Sequence, residues 1–118
     1  MIKFFQSFGY ATKGLWHCIQ REQNFKIEFL IGLITIIAAV ALGVTAQEWM
    51  IICICIGMVL GAEMLNSAIE HLCNLVQPGP HPGIKIIKDI AAGAVLLCAL
   101  MAAITGSIIF IPYIILLF

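Results

Sequence analysis

The chain is predicted to be an all-α membrane protein: an amphipathic helix lying in the headgroup layer, followed by three helices that cross the bilayer. Three observations predict this. Of its 118 residues, 63% are hydrophobic and only 10% are charged, more apolar surface than a soluble domain of this length can hide. The apolar residues fall into three runs long enough to span hydrocarbon. All six basic residues lie on one side of those runs. The formal net charge is zero, so no bulk attraction to nucleic acid is expected. Residues 1–118 are read as a single domain.

Residues 2–22 alternate in helical register. Phe4, Phe8, Ala11, Leu15 and Ile19 form an apolar stripe, with Lys3, Gln6, Lys13, His17 and Gln20 mostly opposite, the pattern of an interfacial helix. The alternative is a soluble helix packed on a partner. Arg21-Glu22-Gln23-Asn24 close the segment with a polar knot. The first span is expected over residues 27–46, with Lys26 and Glu28 at its entrance and no charge over 29–46. Val44-Thr45-Ala46 resembles a signal-peptidase site. The apolar run is longer than the ~7–15 residues of a signal h-region and follows a lengthy amphipathic helix, so cleavage is not expected.

Gln47 and Glu48 are read as a very short turn, and the second span as residues 49–75, with Trp49 at the interface. Gly57 and Gly61 make a GxxxG, a notch that lets helices approach closely. Residues 77–83, rich in proline and glycine, are read as a loop. A helix restarts over 84–89, and the third span is expected over 88–112. It should end near Ile111, with Pro112 marking its exit or a kink. Ala92, Gly93, Ala99, Ala103 and Gly106 give this span a small-residue side suited to close packing. The five cysteines are scattered along helices and form no CxxC, so packing roles are expected rather than disulfides. His17-Cys18 and His71-x-Cys73 suggest a metal site only weakly.

Lys3, Lys13, Arg21, Lys26, Lys85 and Lys88 all belong to the N-terminal or second-loop side, and the turn at Gln47 has none. The positive-inside rule then puts the N-terminus and the Pro-rich loop in the cytoplasm and the C-terminus outside. Five of the six acids, all but Glu48, gather towards the same face. Solubility does not require them there, so their concentration suggests chemistry.

The organising stretch is residues 61–75, GAEMLNSAIEHLCNL. At 3.6 residues per turn Glu63, Asn66, Glu70 and Asn74 share a face, with Ser67 beside them. Glu63 lies on the order of 10 Å nearer the bilayer centre than Glu70. A carboxylate that deep costs at least ~2.5–3.5 kcal/mol and needs a partner, a proton or a cation. Phosphoryl transfer is one use for such a face. It needs a divalent ion on the phosphates, positive charge for the equatorial oxygens and a base for the attacking hydroxyl. Glu22 and Glu70 would bind Mg²⁺, a hard ion preferring oxygen, and Lys88 would meet phosphate as a point charge. Glu63 would suit a general base, since a desolvated carboxylate takes up a proton readily. Asn66 would orient either group. The competing reading is a cation-coupled transporter or channel built around the same buried acids. No GxxxxGK[ST] occurs, which excludes a P-loop enzyme.

Glu63-Met-Leu-Asn66-Ser-Ala-Ile-Glu70, then His81 and the block Lys88-Asp89-Ile-Ala-Ala-Gly-Ala-Val95, closely resembles the prokaryotic diacylglycerol kinase family, which includes undecaprenol kinases of similar size. Gly9-Tyr10-Ala-Thr-Lys-Gly14 and Glu22-Gln-Asn-Phe25 match in the same order. The resemblance implies a homotrimer of three-span subunits in the bacterial inner membrane. Active sites would be shared between neighbours at the cytoplasmic surface. It implies ATP as co-substrate with Mg²⁺, and diacylglycerol or undecaprenol as the phosphate acceptor. Glu63 matches the base that deprotonates the lipid hydroxyl, Asn66 an active-site amide, and Glu22 and Glu70 the metal ligands that also meet the nucleotide. Tyr10, His81, Lys88 and Asp89 match ATP-contacting positions. Where the family commonly has Asp, this chain has Asn74, which removes a negative charge. The wording of residues 24–27 and 81–95 leans towards the undecaprenol branch.

Overall fold

The structure, a computed structural model, describes residues 1–118. It contains four helices: α1 Ile2–Arg21, α2 Gln23–Leu42, α3 Ala46–Val76 and α4 Pro82–Leu117. The last three are long and apolar enough to cross a membrane. At 1.5 Å per residue α3 and α4 are roughly 46 and 54 Å long, more than the ~30 Å of hydrocarbon. Their ends therefore reach polar surroundings, and the adjoining end of α3 and start of α4 carry Glu70, Asn74, Lys85 and Lys88.

The joints between helices explain where the elements differ from expectation. Glu22 is extended (φ −99, ψ 111) and serves as both the C-cap of α1 and the N-cap of α2, so α1 stops one residue short of the expected 22. Gln47 and Glu48 are not a turn; they lie in the first turn of α3. The turn is residues 43–45. Gly43 takes the left-handed conformation (φ 66) that ends α2, a geometry glycine adopts without steric cost. Thr45 then caps α3: its hydroxyl accepts from the Glu48 N–H at 3.2 Å, and the Glu48 carboxylate accepts from the Thr45 N–H at 2.9 Å. An uncharged run hides such a turn, because neither Gly nor Thr interrupts it.

The second loop is also shorter than expected. His81 is the N-cap of α4, its Nδ1 accepting from the Gly83 N–H at 3.0 Å, and Pro82 occupies the first helical position. A proline there loses only an N–H that the first turn leaves unbonded. At the far end α4 does not stop at Ile111 but runs through Pro112 to Leu117. Membrane helices tolerate an interior proline where neighbouring groups compensate. Nearby, Tyr113 donates its hydroxyl to Glu48 and ties this end of α4 to the α2–α3 turn.

α3 and α4 form the most extensive packed pair; α2 lies along α3, and α1 returns against α2. At the turn end Ala39, Val44, Ile52 and Ile109 make a small core, with Trp49, Phe110 and Tyr113 packed on it. The close approach between helices is at Gly32, where a Cβ would sit 3.3 Å from Ile56 Cγ2. Gly57 and Gly61 face open space in the single chain and make no notch for another of its helices. A groove of about 390 Å³ runs between α2, α3 and α4, with Ile31, Gly32, Ile56, Leu60, Ala103 and Phe110 in its walls and Glu28 at the end nearest the start of α2. Only 13 of 118 residues are buried, so the outward apolar faces must meet lipid or neighbouring chains. All five cysteines are free, with Cys18 and Cys73 buried.

Candidate functional site

α3 supplies the centre of the site. Glu63, Asn66 and Ser67 are 4%, 6% and 4% exposed, whereas Glu70, two turns along from Glu63, is exposed. The extended backbone at Glu22 breaks the helical path between α1 and α2 and brings that side chain to α3, where Oε1 lies 2.7 Å from His71 Nε2. Phe25, 1% exposed and the largest fully buried side chain, anchors the start of α2. One turn further on α2, Glu28 comes near enough to Glu63 for the two carboxylates to repel, and Glu22 and Glu70 bear on Glu63 in the same way.

Glu22, Glu28 and Glu70 thus bear on the buried Glu63 from three segments, and no lysine or arginine pairs with any of the four. The chain has two ion-pair contacts, His71–Glu22 and Lys85–Asp89. Asn66 Oδ1 and Glu28 Oε2 are buried without a hydrogen-bond partner, each an omission costing about 1–3 kcal/mol. Crowded like charges and orphaned oxygen acceptors are the conditions a hard divalent cation relieves. In donor type these oxygens suit Mg²⁺, which takes one or two protein carboxylates and fills the rest of its shell elsewhere; within one chain the ligand atoms that converge are those of His17, Glu22 and His71. Cys18, buried beside the cluster, is no candidate ligand: burial pushes its thiol up, and the Glu22 and Glu63 carboxylates push it further.

A second group lies at the α3–α4 end. Lys88 Nζ donates to Asn74 Oδ1 at 2.7 Å. His81, Lys85 and Lys88 line an open cavity of about 540 Å³ together with the Pro-rich loop. Of the residues expected to form the site, the chain therefore brings together Glu22, Glu63, Asn66 and Glu70, and separately His81 and Lys88. Asp89 is paired with Lys85 at 2.6 Å and exposed. Tyr10 is 67% exposed on α1 and hydrogen-bonds to neither group.

Two features escaped sequence reasoning. Glu28 had the look of an entrance charge, and its only signal was an acid opening an uncharged run. His17 and His71 belonged to two unrelated weak hints, yet their ring centroids are 6.0 Å apart. Nothing in local spacing joins positions on α1 and α3.

Comparison with known proteins gives a consistent picture. The family model for prokaryotic diacylglycerol kinase matches residues 9–110. An undecaprenol kinase of Bacillus subtilis (strain 168) is 38% identical over 110 residues, covering 93% of this chain and 89% of the relative. A diacylglycerol kinase of Synechocystis sp. is 36% identical over 107 residues, 90% of this chain and 61% of the relative. A diacylglycerol kinase of Escherichia coli (strain K12) is 31% identical over 101 residues, 86% of this chain and 83% of the relative.

Proposed function

Because the chain belongs to the prokaryotic diacylglycerol kinase family and is a lipid kinase, we propose that it transfers the γ-phosphate of MgATP to the hydroxyl of a membrane alcohol at the cytoplasmic end of α3. Undecaprenol is the favoured acceptor and diacylglycerol the other. The observation that carries this is Glu63, 4% exposed within four carboxylates that no lysine or arginine neutralises.

The residues divide the work by depth. Glu22 and Glu70, nearer the surface, hold the Mg²⁺ that accompanies the nucleotide. The ion, when bound, neutralises charge on the phosphates. The charge of Lys88 is not neutralised by its partner, since Asn74 is an uncharged amide, and with His81 it steers the triphosphate. Glu63 accepts the proton as the alcohol oxygen bonds to the γ-phosphorus. The bond from that phosphorus to the β–γ bridging oxygen breaks, and ADP leaves. Asn66, with its free Oδ1, orients the hydroxyl. Burial keeps water from competing as acceptor and strengthens every local charge interaction.

The groove behind Glu28 takes the apolar tail. Its walls are mostly apolar, so they discriminate little between an isoprenoid and an acyl chain. The preference for undecaprenol is supported by the relative of that name, 38% identical over 93% of this chain. Tyr10 and Asp89 stand apart from the carboxylates in one chain, which supports a homotrimer in which a neighbour completes each site. The basic residues support a cytoplasmic N-terminus and second loop in the inner membrane, and α1, with its exposed Phe4 and Phe8, supports an interfacial position for that helix. The test is purified protein in lipid nanodiscs, given γ-labelled MgATP and either lipid side by side. Label should enter the lipid phase, faster with undecaprenol; no transfer to either lipid refutes the proposal.

A further inference from the structure

His17 on the last turn of α1, Glu22 at the α1–α2 joint and His71 on α3 place one ligand atom each within 4.8 Å of one another. The Glu22 carboxylate and the His71 imidazole are already 2.7 Å apart. The three residues come from three helical segments, so the arrangement is a product of the fold and not of a local motif. Two donors on a tetrahedral zinc ion stand roughly 3.3 Å apart, given metal–donor lengths of about 2.0–2.1 Å. A small swing of the exposed His17 side chain closes the set.

The chemistry differs from that of the carboxylate cluster. Mg²⁺ takes oxygen ligands and has little use for imidazole. Zinc and its neighbours among the transition metals are suited to imidazole, and two histidines with one carboxylate are a sufficient protein set when a fourth position stays open. Here that position faces solvent, since the His71 side chain is 62% exposed and that of Glu22 20%. Glu22 belongs to both sets.

We propose that His17, Glu22 and His71 form a binding site for a zinc-class divalent ion, and that its occupation withdraws Glu22 from the magnesium nucleotide and so inhibits phosphoryl transfer. The binding half stands on these three residues alone. The inhibitory half rests on the role given to Glu22 in the proposed function. An ion there also ties α1 and the α1–α2 joint to α3, fixing the position of the surface helix against the second span.

The experiment uses the full chain in nanodiscs. Zinc binding is measured without nucleotide, by calorimetry or by competition with a chromophoric chelator. Cobalt spectra report the ligand type. One ion per chain is expected, with no thiolate charge-transfer absorption, and affinity should fall on the order of tenfold or more in His17→Ala and in His71→Ala. Circular dichroism and thermal unfolding of both variants control for folding, and the zinc-free turnover of each variant is its own reference for inhibition. In the kinase assay zinc should inhibit the parent protein in competition with Mg²⁺, and the His17→Ala/His71→Ala double variant should resist. Equal zinc affinity in the parent and the double variant overturns the site. Zinc that binds as described but leaves turnover unchanged overturns the inhibition. A chain that binds zinc through these histidines yet transfers no phosphate sinks the kinase proposal while the ion site survives.

Discussion

Asn74 stands where the sequence resemblance implies an aspartate, and its contact gives the amide a consequence. Lys88 donates to the Asn74 carbonyl oxygen at 2.7 Å, so the ammonium is held in place without being neutralised. Asn74→Asp would convert the contact into an ion pair. At an exposed position such a pair adds only ~0–1 kcal/mol to stability, but it would draw the lysine's charge away from phosphate. The expected outcome is a KM for MgATP raised several-fold with kcat little changed and unaltered thermal stability; an unchanged or lower KM would show that Lys88 does not meet the nucleotide through this charge. At this scale the sequence was informative wherever the helical period alone groups residues. Glu63, Asn66 and Glu70 line one face of α3 because of their spacing, and the structure buries the first two. Glu28 and His71 were not legible as site residues, because their neighbours there lie on other segments; His71 and Glu22 are 49 positions apart.

The helices themselves were legible from apolar run length, and their ends were not. Hydropathy registers charge, whereas the α2–α3 turn is built from Gly43 and Thr45, which carry none. The Thr45–Glu48 capping box satisfies two backbone N–H donors at once, and Tyr113 gives the Glu48 carboxylate a second bond. Thr45→Ala should therefore cost about 1 kcal/mol, visible as a lower midpoint in a detergent-denaturation series with kinase activity retained, since this turn lies at the opposite end of the spans from Glu63. Loss of activity at full stability would contradict that separation. The GxxxG pattern finds no use within the chain for a related reason: a glycine pattern says that close approach is permitted, not which partner uses it. Within the chain the contact is made by Gly32 against Ile56, leaving Gly57 and Gly61 open. The groove beside Gly32 offers its own test. Ala103→Phe should fill it and raise KM for a long-tailed lipid without changing KM for MgATP. Unchanged lipid KM would place the tail elsewhere.

For the whole molecule, an outward surface of exposed Ile, Leu, Met and Val along α2, α3 and α4 means that one chain is stable only in lipid or against copies of itself. The site residues follow the same logic. Carboxylates gather where α1, α2 and α3 meet, whereas Asp89 is held by Lys85 on an exposed part of α4 and Tyr10 projects from α1. If each active site takes Asp89 from a neighbour, two inactive variants should repair one another. Mixed oligomers of Glu63→Gln and Asp89→Asn should regain a measurable fraction of parental turnover after joint reconstitution. A mixture as inactive as its parents would confine the site to one chain.

The central claim is that Glu63 takes the proton of the lipid hydroxyl within a carboxylate cluster whose outer members hold MgATP. It is tested most directly by measuring nucleotide affinity and turnover together on Glu63→Gln in nanodiscs. MgATP should bind with near-parental affinity and the fold should stay intact by circular dichroism, while kcat falls by about 10²–10⁴-fold. Turnover within a few-fold of the parent protein would contradict the account.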